Sequence, residues 1–66
     1  MTIVYQGKDE ETAAATVAAF LAERGVLGEG TVVEYRGEAY APGAALDGVP
    51  LVEGAELNVF RLVAGG

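Results

Sequence analysis

Only one stretch of this chain has the periodicity of a helix, and it leaves an apolar face that it cannot cover by itself. Between Ala13 and Gly25, the residues Val17, Phe20, Leu21 and Arg24 recur at three- and four-residue spacing among alanines, which puts them on one side of a helix. Thr16 stands where an N-cap side chain takes up a free backbone N–H, and Gly25 suits the left-handed residue just past a helix end. The face made by Val17, Phe20 and Leu21 must pack on something. With no second helix to serve, the partner has to be a sheet.

The rest of the chain supplies short strands and the turns between them. Thr2–Gln6 is rich in β-branched and aromatic residues and stops at Gly7, so it reads as a strand closing on a turn. Residues Lys8–Thr12 carry Asp9, Glu10 and Glu11 in a row, a poor intrinsic strand placed where a hairpin return would run. Charges there suit an exposed edge, because they discourage pairing with other chains. After a short connection over Val26–Gly30, Thr31–Arg36 alternates so that Val33 and Tyr35 share a face. Arg36-Gly37-Glu38 then turns the chain into Ala39–Ala41. Pro42-Gly43 and Gly48-Val49-Pro50 bracket an irregular stretch in which Ala44–Asp47 is expected to form one helical turn. Glu53–Glu56 is a further turn. Leu57–Val63 is the last strand, apolar at most positions, as a central strand covered on both faces would be. Regular alternation along it directs Leu57 and Val59 to the helix and Asn58, Phe60 and Leu62 outward. The order is hairpin, helix, strand with a short partner, final strand: an α+β architecture with one helix packed across a small mixed sheet. Residues 1–66 read as a single domain without repeats or linkers.

Composition removes most kinds of chemistry. A 66-residue chain is near the lower limit for a single core that has no disulfide, metal or partner to support it. Cysteine and histidine are both absent. That excludes disulfides, thiolate and imidazole metal ligands, cysteine nucleophiles and Ser-His dyads, so the chain is not expected to be an enzyme. A formal charge of −6 repels nucleic acid and anionic lipid and predicts a basic partner surface. The run Asp9-Glu10-Glu11 matches no calcium loop, because adjacent carboxylates on a strand point apart; a solvated edge is expected, and no metal site. No apolar run is long enough to span a bilayer and the amino end lacks the pattern of a signal peptide, which predicts a cytoplasmic protein.

The chain closes on Val59-Phe60-Arg61-Leu62-Val63-Ala64 and then Gly65-Gly66. Two terminal glycines offer a carboxylate with no neighbouring side chain to obstruct it. Such a carboxyl ionises near pH ~3.5, so at neutral pH it is an anion, a poor electrophile that a partner must activate first. Gly66 is the expected point of covalent attachment, and Ala64 and Gly65 its flexible lead-in. Glycines are entropically costly to immobilise, so affinity has to come from the ordered residues beside them. Asn58, Phe60, Arg61, Leu62 and Val63 are the expected partner-binding set. Phe60 is the aromatic anchor, and Arg61 is available to pair with a partner acid.

The same order of elements is that of the β-grasp topology, with first and last strands parallel at the centre. Thr16-Val17 at the helix start, Val33-Glu34-Tyr35-Arg36-Gly37-Glu38 at the third strand, Leu51-Val52-Glu53-Gly54 and the final Val59–Gly66 carry a further likeness. Together they make the chain similar to prokaryotic sulfur carriers of the ThiS/MoaD ubiquitin-like family, most closely the ThiS type of thiamin biosynthesis. The resemblance implies a ThiF-like adenylyltransferase, related to ubiquitin-activating enzymes, that joins Gly66 to AMP with its own ATP and magnesium. It implies sulfur from a cysteine desulfurase or rhodanese persulfide, and delivery to a ThiG-like thiazole synthase. The carrier itself would bind no cofactor. Two departures bear on the pathway: Pro42 lies one position later than the family's proline, without the basic and aromatic residues that often follow it, and Ala55 replaces a common acidic residue. Other destinations for the sulfur therefore stay open, namely tRNA thiolation, amino-acid or secondary-metabolite synthesis and molybdopterin. So do a ubiquitin-like protein modifier and a small acidic interaction or inhibitor protein.

Overall fold

The computed structural model describes residues 1–26, 31–41 and 45–61. Its elements are β1 (Thr2–Tyr5), β2 (Lys8–Glu11), α1 (Val17–Arg24), β3 (Thr31–Tyr35), β4 (Glu38–Tyr40) and β5 (Glu56–Arg61). The strands form one sheet in the order β2-β1-β5-β3-β4. β1 and β5 run parallel, with Val4 opposite Glu56 and Tyr5 opposite Leu57, and every other pair is antiparallel. This is an α+β β-grasp fold, one helix laid across a mixed five-stranded sheet.

Both hairpins close through two residues of positive φ: Gln6 (51°) with Gly7 (82°), and Arg36 (53°) with Gly37 (83°). Such turns twist in the same sense as the strands they join, which is why short hairpins prefer them. β2 forms despite its acidic run because its side chains find partners on both faces. The Thr2 hydroxyl bonds the Glu11 carboxylate, while Glu10 lies 2.9 Å from the Arg24 guanidinium. That guanidinium sits 4.9 Å from the centre of the Phe20 ring, so a single arginine ties the edge strand to the helix and to the core.

The helix begins at Val17, not within Ala13–Ala15. The Thr16 hydroxyl accepts the Ala19 N–H at 3.1 Å, as an N-cap should, and Gly25 (φ 69°) closes the other end. The alanines before Thr16 are taken by other bonds: the Ala14 N–H donates to the Thr12 hydroxyl, and the Ala15 carbonyl accepts the Leu51 N–H, both at 2.9 Å. Propensity favoured helix there, and tertiary pairing overrode it.

Ile3, Val17, Phe20, Leu21 and Leu57 are fully buried between helix and sheet, with Tyr5 meeting the Phe20 ring edge-on at 5.0 Å. Each such side chain contributes about 1.5–3 kcal/mol by leaving water. Over the core's far side, the Tyr35 hydroxyl donates to the Pro50 carbonyl and accepts the Val52 N–H, both at 2.9 Å, pinning the segment before β5.

Two expectations need correcting. Of the helical turn expected over Ala44–Asp47, Ala44 lies outside the described residues, Ala45 and Leu46 are irregular, and Asp47 enters a turn with Gly48. The Leu46 carbonyl accepts from Ala18 and Val49, both at 3.2 Å, which makes a tight turn where a helix would need a bond four residues on. β5 is central but covered on one face only: Leu57 is inaccessible, whereas Phe60 is 53% exposed. Among the described residues there is one helix, and it can cover only one side.

Candidate functional site

Residues directly opposite one another on neighbouring strands point to the same face of a sheet. The register puts Asn58 opposite Glu34 and Phe60 opposite Val32, whereas Leu57 and Val59 lie opposite Tyr35 and Val33. Leu57 and Tyr35 are buried in the core, so Asn58, Phe60, Val32 and Glu34 belong to the uncovered face. Val4 joins them from β1, opposite Asp9 on one side and Glu56 on the other. The uncovered face thus carries the apolar pair Val32 and Phe60 toward one end and Val4, beside Glu56, toward the other, set among the carboxylates of Asp9, Glu11, Glu34 and Glu56. A basic surface is the natural complement of such a pattern.

The expected partner-binding residues separate into three groups. Phe60 projects from the uncovered face as expected. Asn58 shares that face but is half-buried and donates through Nδ2 to Glu34 Oε1 at 3.1 Å, so part of its hydrogen-bonding capacity is already used. Arg61 is exposed at the end of β5, opposite Thr31, and makes no ion pair among the described residues. Leu62, Val63, Ala64, Gly65 and Gly66 lie outside the described residues, and so does the end of the strand expected to reach Val63.

Sequence reasoning overlooked Gln6. It reads as the last residue of a strand, yet its side chain crosses to β5, 53 positions away. There the carboxamide donates through Nε2 to the Val59 carbonyl at 3.1 Å and accepts the Val59 N–H through Oε1 at 2.8 Å. The only local hint was a glutamine immediately before a turn glycine.

On the other edge of the molecule, Tyr35, Arg36, Glu38, Tyr40, Val49 and Pro50 line an open groove of about 270 Å³. The Tyr40 hydroxyl donates to Glu38 Oε2 at 3.3 Å. Its pKa is raised from the ordinary 10.0, first by partial desolvation and then by the neighbouring Glu38 charge. The groove's two phenols already have partners, so it presents no group poised for chemistry.

No group of three or more acidic side chains among the described residues is arranged to hold a metal ion. No helix there is long and apolar enough to cross a membrane. No protein-family model matches the chain, and no curated protein matches it at a significant level.

Proposed function

We propose that this protein is a cytoplasmic sulfur carrier in which Gly66 presents the terminal carboxylate, a partner enzyme adenylates it, and the resulting thiocarboxylate donates sulfur, for the thiazole of thiamin in the first instance. The observation that carries this reading is the setting of β5. The strand is held between β1 and β3 and shows Phe60, six residues before Gly66, on the uncovered face. An ordered aromatic close to a small-residue tail lets a partner bind the body and act on the tail.

The division of labour follows from what the side chains lack. With no cysteine or histidine, the carrier has neither a thiol nor an imidazole to offer as nucleophile, and the chemistry falls to the enzymes it meets. A ThiF-like adenylyltransferase converts the Gly66 carboxylate into an acyl adenylate, and pyrophosphate leaves. The Gly66 carbonyl then has a good leaving group and no side chain crowding it. A desulfurase or rhodanese persulfide attacks that carbonyl, AMP departs, and a thiol reductant cleaves the acyl disulfide to the thiocarboxylate. The absence of cysteine also keeps the activated end from being captured within its own chain.

The direct test is intact-mass measurement after incubation with ATP, magnesium, a ThiF-like adenylyltransferase and a persulfide donor. A mass gain equal to one sulfur-for-oxygen exchange, lost on deletion of Gly66, is expected. An unchanged mass, or full activity without Gly66, overturns the proposal, and an adduct on the lysine of a second protein shifts it to a protein modifier.

A further inference from the structure

β5 outruns the strand beside it. On the β3 side its pairing continues to Thr31 opposite Arg61, but on the β1 side the last main-chain bond is from the Gln6 N–H to the Leu57 carbonyl, at 3.0 Å. Backbone groups of a strand face its two neighbours alternately, so the next pair directed toward β1 belongs to Val59. The chain has by then turned away through Gln6 and Gly7, and Val59 would be left with a bare edge one residue before Phe60.

The Gln6 carboxamide fills that place. A carboxamide carries a donor and an acceptor side by side, like a peptide group, and here both are spent on the two polar groups of Val59. The choice of residue runs against turn preference. At φ 51° asparagine is the side chain best tolerated after glycine, and Asn-Gly is the favoured pair for such a turn. Glutamine gives up that preference for one more methylene of reach. The second hairpin shows the contrast: Arg36 has the same backbone conformation and bonds Glu56 through its main-chain N–H at 3.0 Å, but its side chain makes no hydrogen bond to β5 among the described residues.

We propose that Gln6 is a positioning residue, a side-chain stand-in for a missing strand that fixes β5 at Val59 and so sets how Phe60 and Arg61 meet the activating enzyme. This inference rests on the carrier reading for its consequence but not for its geometry. The clamp orders β5 before binding, so its loss raises the cost of docking and leaves the adenylation step untouched.

The experiment compares Gln6→Asn, which keeps the turn but is too short, and Gln6→Glu, which keeps the length but cannot donate to the Val59 carbonyl, with the unaltered protein. Exchange of the Val59 amide in the free protein should quicken about 2- to 12-fold in Gln6→Asn, the range for the net worth of one hydrogen bond, while its melting temperature holds or rises. The KM for the carrier in adenylation should rise by a similar factor in both variants with kcat unchanged. Unchanged Val59 exchange in Gln6→Asn overturns the clamp, and equal KM values overturn its role in docking. If the unaltered protein is not adenylated at all, the carrier reading fails, and faster Val59 exchange in Gln6→Asn still upholds the clamp.

Discussion

The two phenylalanines of this chain lie on opposite sides of one sheet and have opposite fates. Phe20, on α1, is fully inaccessible, held between the Tyr5 ring edge and the Arg24 guanidinium, while Phe60, on β5, is 53% exposed among carboxylates. A small domain with one helix can dry one face of its sheet and must leave the other wet. The dry face sets whether the protein folds. The wet face keeps an aromatic that folding does not consume, which is unusual where a chain this short needs all the apolar burial it can find.

The sharpest test of that division is Phe20→Ala. Removing a fully buried phenylalanine costs about 3–5 kcal/mol, and a chain of this size has in total only about 3–10 kcal/mol of stability. The variant should be largely unfolded at 37 °C or melt far earlier in a denaturant titration followed by circular dichroism. Phe60→Ala should change stability by no more than about 0.5–1 kcal/mol, as other exposed positions do, yet weaken binding to the activating enzyme tenfold or more. Comparable melting losses in the two variants would mean the outer face is no spare surface, and the comparison would collapse.

The smallest effect belongs to Tyr40, at the rim of the covered face opposite Val33. Its folded pKa is raised, so the folded state holds the phenolic proton more tightly than the unfolded chain does. The associated stabilisation is complete below the ordinary tyrosine range and is lost as pH rises through the folded pKa. Tyr40→Phe should therefore flatten the alkaline decline of the melting temperature, with neutral-pH stability little altered. An unchanged alkaline slope would remove Tyr40 from the account.

What the chain discloses from its residues alone follows the range of the interaction. Thr16 and Gly25 mark the helix ends through bonds within a few residues, and period-two alternation places Phe60 outward. The helical turn expected over Ala44–Asp47 fails because the Leu46 carbonyl is claimed by a segment distant in sequence, at Ala18, just as the Ala15 carbonyl ahead of the helix is claimed by Leu51. The double cover expected of β5 failed for a similar reason: an apolar strand does not reveal whether a second layer exists to meet it. Tyr35 left no local sign and Gln6 only its place before a turn glycine, since each bonds a backbone that only the fold brings near.

The position of β5 has a consequence for how such a molecule comes into being. The β1–β2 and β3–β4 hairpins share no edge; they belong to one sheet only because β5 lies between them. Synthesis proceeds from the amino end, so both hairpins emerge while the slot between them is still empty, and closing it demands a contact between Val4 and Glu56 across most of the chain. A partner that grips Phe60 beside Val32 therefore receives a ticket issued only on completion: newly made or unravelled copies, with β5 not yet seated between the hairpins, never assemble the pair it reads.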